Sequence, residues 1–161
     1  MIETPETVFF KYAYPCSDEL LRLKTISPAQ KDLLDYFFDQ KKAPKRDLLE
    51  VCFPKAIERL KRFADGDDYW TVENIRSYFL VYHNKVIDNR EGSYATCSRQ
   101  IRDLCKVRCG EIHGIENING NIVYVVRYNQ FKETRVSGRY LPDAKVNDRI
   151  SVHWRLAIEK L

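Results

Sequence analysis

Residues Cys109–Tyr128, CGEIHGIENINGNIVYVVRY, mark a change of period in this chain. Apolar residues upstream recur every three or four positions, whereas here they alternate with polar ones. Asn119-Gly120 interrupts the alternation. An Asn-Gly pair between alternating apolar residues is the strongest short-range sign of a two-residue hairpin, because both residues tolerate the positive φ that a type I′ turn requires. The spacing predicts one strand in CGEIHGIE and a second in NIVYVVRY.

Toward the C-terminus, FKETRVSG supplies another strand, Leu141-Pro142-Asp143 a turn, and RISVHWRLAIEKL a last strand. So many short strands over so short a span call for closure into a small barrel, since closure removes the unpaired edges a small open sheet presents. Toward the N-terminus the pattern is helical. Ser27-Pro28 offers an N-cap with proline at the first helical position, followed by Leu33, Leu34, Phe37 and Phe38 at helical spacing. That helix is expected to end near Gln40, before Ala43-Pro44. Further helices are predicted from about Lys45 to Val51 and from Pro54 to Ala64, the latter terminated by Asp65-Gly66-Asp67-Asp68. Thr71 caps a longer one carrying Val72, Ile75, Phe79, Tyr82 and Val86. A last short helix spans Ser98–Lys106 and runs into the first strand almost without a linker, so that helices cover one rim of the barrel. The expected fold is α+β, with a helical domain over 1–106 and a β-barrel over 107–161.

With 161 residues and 44% hydrophobic content the chain has enough apolar material for a core and is not of disordered composition. Its 27 basic and 23 acidic residues leave a net charge of +4, too balanced for a strong general attraction to polyanions. No run approaches the ~18 apolar residues of a membrane span, and MIETPETVFFKYAYP does not read as a secretion leader. A soluble, cytoplasmic protein is expected. The odd set of five cysteines fits reduced thiols rather than a disulfide framework. No nucleophile elbow, phosphate loop, dinucleotide turn or zinc-protease motif is present, so no catalytic function is expected.

The closing stretch LPDAKVNDRISVHWRLAIEKL, together with CGEIHGIENINGNIVYVV, resembles the HypC/HupF family of hydrogenase-maturation chaperones. The shared features, in order, are Cys109 and Ile112, the Asn119-Gly120 hairpin, Leu141-Pro142, Ala144-Lys145-Val146, Asp148, Val152-His153 and Ala157-Ile158. The resemblance covers Cys109–Leu161. It implies a small OB-like barrel acting as a chaperone that carries a cyanide- and carbonyl-bearing iron centre during assembly of nickel-iron hydrogenase. It further implies that Cys109 contacts both a maturation scaffold protein and the large-subunit precursor, and that Cys109, with His153, holds the iron transiently. A thiolate is a soft donor suited to such iron. His113 stands where the family carries proline and Trp154-Arg155 where it carries small residues, so with Cys109 these mark the partner-facing surface.

Other readings of the same residues stay open. Cys105, Cys109 and His113 at four-residue spacing, with His153, offer a metal ligand set, although the helix-to-strand change between the first two places Cys105 in the core. His153 is either a structural histidine bonded to the barrel backbone or a group that favours the Cys109 thiolate. His83 is read as structural. The residues from Val107 onward include nine basic and six acidic ones. Arg127, Arg135 and Arg139, with Tyr124, Tyr128, Phe131, Tyr140 and Trp154, give the alternative of a nucleic-acid-binding barrel that stacks bases.

Overall fold

The computed structural model describes residues 2–161 and divides the chain into two compact units, one ending at Tyr82 and the other comprising His83–Leu161. The change from helix to strand falls near 106 as the periodicity indicates, but compactness divides the chain earlier, so 83–106 forms one unit with the barrel.

The first unit is helical. Its elements are α1 (Pro5–Ala13), α2 (Ser17–Arg22), α3 (Pro28–Asp39), α4 (Arg46–Cys52), α5 (Pro54–Ala64) and α6 (Val72–Ser77). Thr4 and Ser27 close capping boxes at the starts of α1 and α3, each followed by proline in the first turn. Asp65, in the left-handed region at φ 48°, ends α5. The core is aromatic: Phe9 lies 5.2–5.9 Å from the rings of Trp70, Phe79 and Phe53, and Tyr12 stacks on Phe79. Phe9, Tyr12 and Phe79 are almost wholly buried. Trp70 keeps its buried ring because its Nε1–H donates to Glu6 at 2.8 Å.

The predicted long helix after Thr71 is continuous from Val72 to Asp88 but changes pitch: a π turn at Tyr78–Tyr82 separates α6 from α7 (His83–Asp88). The five residues of that turn include the bulky run Tyr-Phe-Leu-Val-Tyr. After a 3-10 turn at Gly92–Ala95 comes α8 (Arg99–Cys105), capped by Ser98.

Five strands follow: β1 (Arg108–Ile118), β2 (Asn121–Asn129), β3 (Lys132–Ser137), β4 (Arg149–His153) and β5 (Leu156–Lys160), closed in the order β1-β2-β3-β5-β4. Asn119 (φ 52°) and Gly120 (φ 81°) make the expected hairpin turn. The closing segment, expected as one strand, is two. Trp154 (φ 48°) and Arg155 (φ 60°) turn the chain between β4 and β5, a conformation rare for bulky residues and therefore hidden from a reading of turn chemistry. Inside the barrel lie Ile112, Tyr124, Val126, Val136, Ala144, Ile150, Val152 and Ala157. Tyr124 belongs to this core and donates its hydroxyl to the Leu141 carbonyl, so it is not an exposed stacking surface. Gly110 is required by closeness: a Cβ there would stand 2.6 Å from Val126 Cγ1 and 3.0 Å from the Arg127 carbonyl oxygen. The Ala144–Asp148 turn is clipped to β1, where the Ile112 N–H donates to the Asp148 carbonyl (3.0 Å) and the Asn147 N–H to the Ile112 carbonyl (2.8 Å).

Candidate functional site

The C-terminal end of α8 and the first residues of β1 are where the sequence-derived candidates come closest together. A short helix ends with carbonyls that have no partner within it, and such groups are costly if buried. Three carbonyls here are satisfied from outside. Leu104 accepts from the Trp154 N–H at 3.3 Å, Cys105 from His83 Nε2 at 2.9 Å, and Val107 from Asn84 Nδ2 at 2.7 Å. The Val107 N–H in turn donates to Asn84 Oδ1 at 2.9 Å. A carbonyl can only accept, so His83 carries its proton on Nε2. Its partner is a backbone group 22 residues away that no local pattern indicates.

Cys109 lies in β1 directly opposite Ser151 of β4 and is exposed. His153, two residues beyond Ser151, shares that face and is the diagonal neighbour of Cys109, a relation in which residues stand about 7–8 Å apart. The two side chains have opposite fates. His153 is completely buried, its ring 5.5 Å from that of His83 in an edge-on arrangement. Cys109 is open, yet protein atoms crowd its sulfur enough to push the thiol above its ordinary value, while Arg149, the other diagonal neighbour, acts in the opposite sense. A thiolate favoured by His153 is therefore not what this arrangement provides.

His113 is the extra residue of a bulge in β1, between the pairs Ile112–Val126 and Gly114–Val125, and lies 3.5 Å from Glu111. Cys105 is buried at the end of α8. Among the described residues no three His, Cys, Asp or Glu side chains gather as a metal-binding group, so Cys105, Cys109, His113 and His153 do not form one.

Trp154 and Arg155 border a cavity of about 180 Å³ at the barrel mouth, with Lys106, Arg108, Tyr128 and Lys132 also in its lining. The Trp154 Nε1–H is buried there without a hydrogen-bond partner. Burial pushes the Tyr128 phenol up to about 12, against a smaller opposing effect from Arg108. The arginines expected to serve nucleic acid are differently placed. Arg127 pairs with Glu133 at 3.1 Å, and Arg135 makes a forked contact with Glu116 at 2.9 and 3.0 Å. Arg139 follows β3 and its backbone N–H donates to Ser137 Oγ at 3.3 Å. Phe131, at the β2–β3 turn, is 90% exposed. The basic residues that converge, Lys106, Arg108, Lys132 and Arg155, are ones that alternation alone does not single out.

No helix is long and apolar enough to cross a membrane among the described residues. No family model matches the chain, and no solved structure matches it significantly. A curated relative, the tRNA modification GTPase MnmE of Cytophaga hutchinsonii, is 29% identical over 104 residues, covering 65% of this chain and 19% of that protein. The chain thus spans about a fifth of the length of the curated relative it matches.

Proposed function

We propose that the chain is an accessory, chaperone-like binding protein whose HypC-like, OB-like barrel presents Cys109 to a metalloprotein partner during assembly of an iron centre, as in nickel-iron hydrogenase maturation. The observation that carries this reading is the accessible thiol on β1, opposite β4, in a barrel whose turns carry the resembling motif. The strand order supports the OB-like type. On this reading the iron is cargo, and Cys109 supplies one soft donor while the other ligands come with the cargo and from the partner. His153, sealed against His83, shapes the strand behind the thiol instead of binding metal. The partner would be a maturation scaffold protein or a large-subunit precursor, met by the surface of Cys109 and His113.

A thiol must lose its proton to bind metal, and this one holds its proton more tightly than usual. Cargo loading therefore rises with pH. The test is anaerobic purification of the native protein with whatever accompanies it, followed by metal analysis and identification of the companions. Iron and a metalloprotein-maturation partner are expected with the wild type and lost together in Cys109→Ser. Retention of both by that variant overturns the reading.

A further inference from the structure

The barrel mouth does not stand alone as a basic cavity. A second cavity, of about 390 Å³, adjoins it, and the two share Asp103 and Lys106 in their linings. The first contributes Arg108, Lys132 and Arg155; the second adds Arg90, Arg99 and Arg102. Seven cations thus meet two carboxylates, Asp88 and Asp103, a surplus of five on one surface of a chain whose whole surplus is +4. The near-balanced total charge conceals this concentration. Both carboxylates are already engaged: Asp88 by Lys106 at 2.5 Å, and Asp103 by Arg108 at 3.6 Å and Arg99 at 3.9 Å. The surplus therefore rests chiefly on Arg90, Arg102, Lys132 and Arg155, with Arg99 only loosely held.

The cations are also arranged in sequence. Arg99, Arg102 and Lys106 are three and four residues apart, so they follow one side of α8 to its end, and Arg108, Lys132 and Arg155 continue from there around the mouth. A single small anion needs one pocket, whereas a file of cations through two adjoining cavities suits a chain of repeated negative charge. Tyr128 and Trp154 stand at the mouth as aromatic walls, the kind of surface on which unpaired bases stack.

The geometry points to a single-stranded nucleic-acid site running from α8 to the barrel mouth, with phosphodiesters on Arg90, Arg99, Arg102, Lys132 and Arg155 and a base against Trp154 or Tyr128. It is independent of Cys109 and of the iron reading. It also lies apart from Arg127 and Arg135, whose charges are held by Glu133 and Glu116.

The experiment is fluorescence anisotropy of the full chain with a labelled oligouridine RNA and a DNA strand of equal length, titrated at salt from about 50 to 200 mM, where the logarithm of affinity falls by about 0.7 per phosphate contact per decade of salt. Lys132→Gln with Arg155→Asn, the asparagine chosen to tolerate the left-handed turn, is expected to weaken binding at least ~10-fold and to flatten that slope by about 1.4. Arg99→Gln, on a side chain 90% exposed, reports separately and is expected to flatten it by about 0.7. Arg127→Gln with Arg135→Gln leaves both quantities unchanged, and thermal unfolding checks that each variant is folded. Absence of binding at the lowest salt, or equal binding by all variants, overturns the proposal. So does saturable binding of inorganic phosphate without binding of either strand, and so does a stronger response to anionic phosphatidylserine vesicles than to RNA.

Discussion

Phe9 in the helical unit and Ile112 in the barrel are both inaccessible to solvent, but their neighbours differ in kind. Around Phe9 are aromatic rings from three separate segments, at Phe53, Trp70 and Phe79. Ile112 shares its interior with valines, alanines, an isoleucine and one tyrosine. Helices can move apart to admit a large ring, while a five-stranded barrel has a fixed, narrow bore that small branched side chains fill. The second difference lies outside that bore. Ser151 and His153 alternate with Ile150 and Val152 along β4, yet all four are buried, so β4 is covered on both faces. The barrel unit therefore carries a polar buried layer in addition to its apolar interior, and that layer lies on the face that Cys109 shares.

Deleting a ring is the strongest way to break this comparison. Phe9→Ala removes several aromatic contacts at once and is expected to destabilise the helical unit by about 3–5 kcal/mol, seen in hydrogen exchange as lost protection within 5–82. If 108–160 loses protection equally, the two units do not respond separately. Gly110→Ala tests the narrow bore directly. The added carbon meets Val126 and the Arg127 carbonyl, and a loss of about 1–3 kcal/mol confined to 83–161 is expected in denaturant titrations. Asn84→Ala removes both bonds to Val107 and leaves that backbone unmatched, a loss of roughly 1–2 kcal/mol; chemical denaturation without that loss shows that water replaces the amide. Arg155→Gly should act in the opposite direction, raising barrel stability by up to about 1 kcal/mol in thermal melts, because this exposed position holds positive φ and glycine accepts it without a Cβ clash. The smallest effect belongs to Asp148, whose carboxyl is held below its usual range by Lys160 and by the Lys145 N–H. A depressed carboxylate stabilises the fold above its unfolded pKa and loses that contribution as pH falls through its folded one. The wild type should therefore lose a small stability increment below about pH 4 that Asp148→Asn lacks, measurable as converging melting curves.

Ser27-Pro28 and Asn119-Gly120 were legible because the residues that make the turn or cap are the ones that identify it. Thr4-Pro5 carries the same kind of signal and begins α1, a helix the apolar spacing alone leaves unassigned. The β4–β5 turn had no such mark. Trp154 and Arg155 are poor turn residues by chemistry, so alternation across them reads as one strand until the backbone shows otherwise. At the site, the exposure of Cys109 and the placement of Cys105 in the core follow from strand and helix periodicity. The His83–His153 contact does not, because it joins a helix to a strand far along the chain. Net charge was least informative of all, since summing over the sequence cancels charges that the fold separates.

The grip of Asn84 on Val107 has an engineering consequence. It fixes both ends of the intervening segment, and Lys106 to Asp88 adds a second tie, so the residues between them form a loop that is already closed. Closure entropy grows only slowly with length, about 0.6 kcal/mol for each doubling. A foreign peptide or reporter spliced near Gly92–Ala95 should therefore be carried without opening the barrel, which makes this loop the natural place to graft a tag while the thiol remains intact.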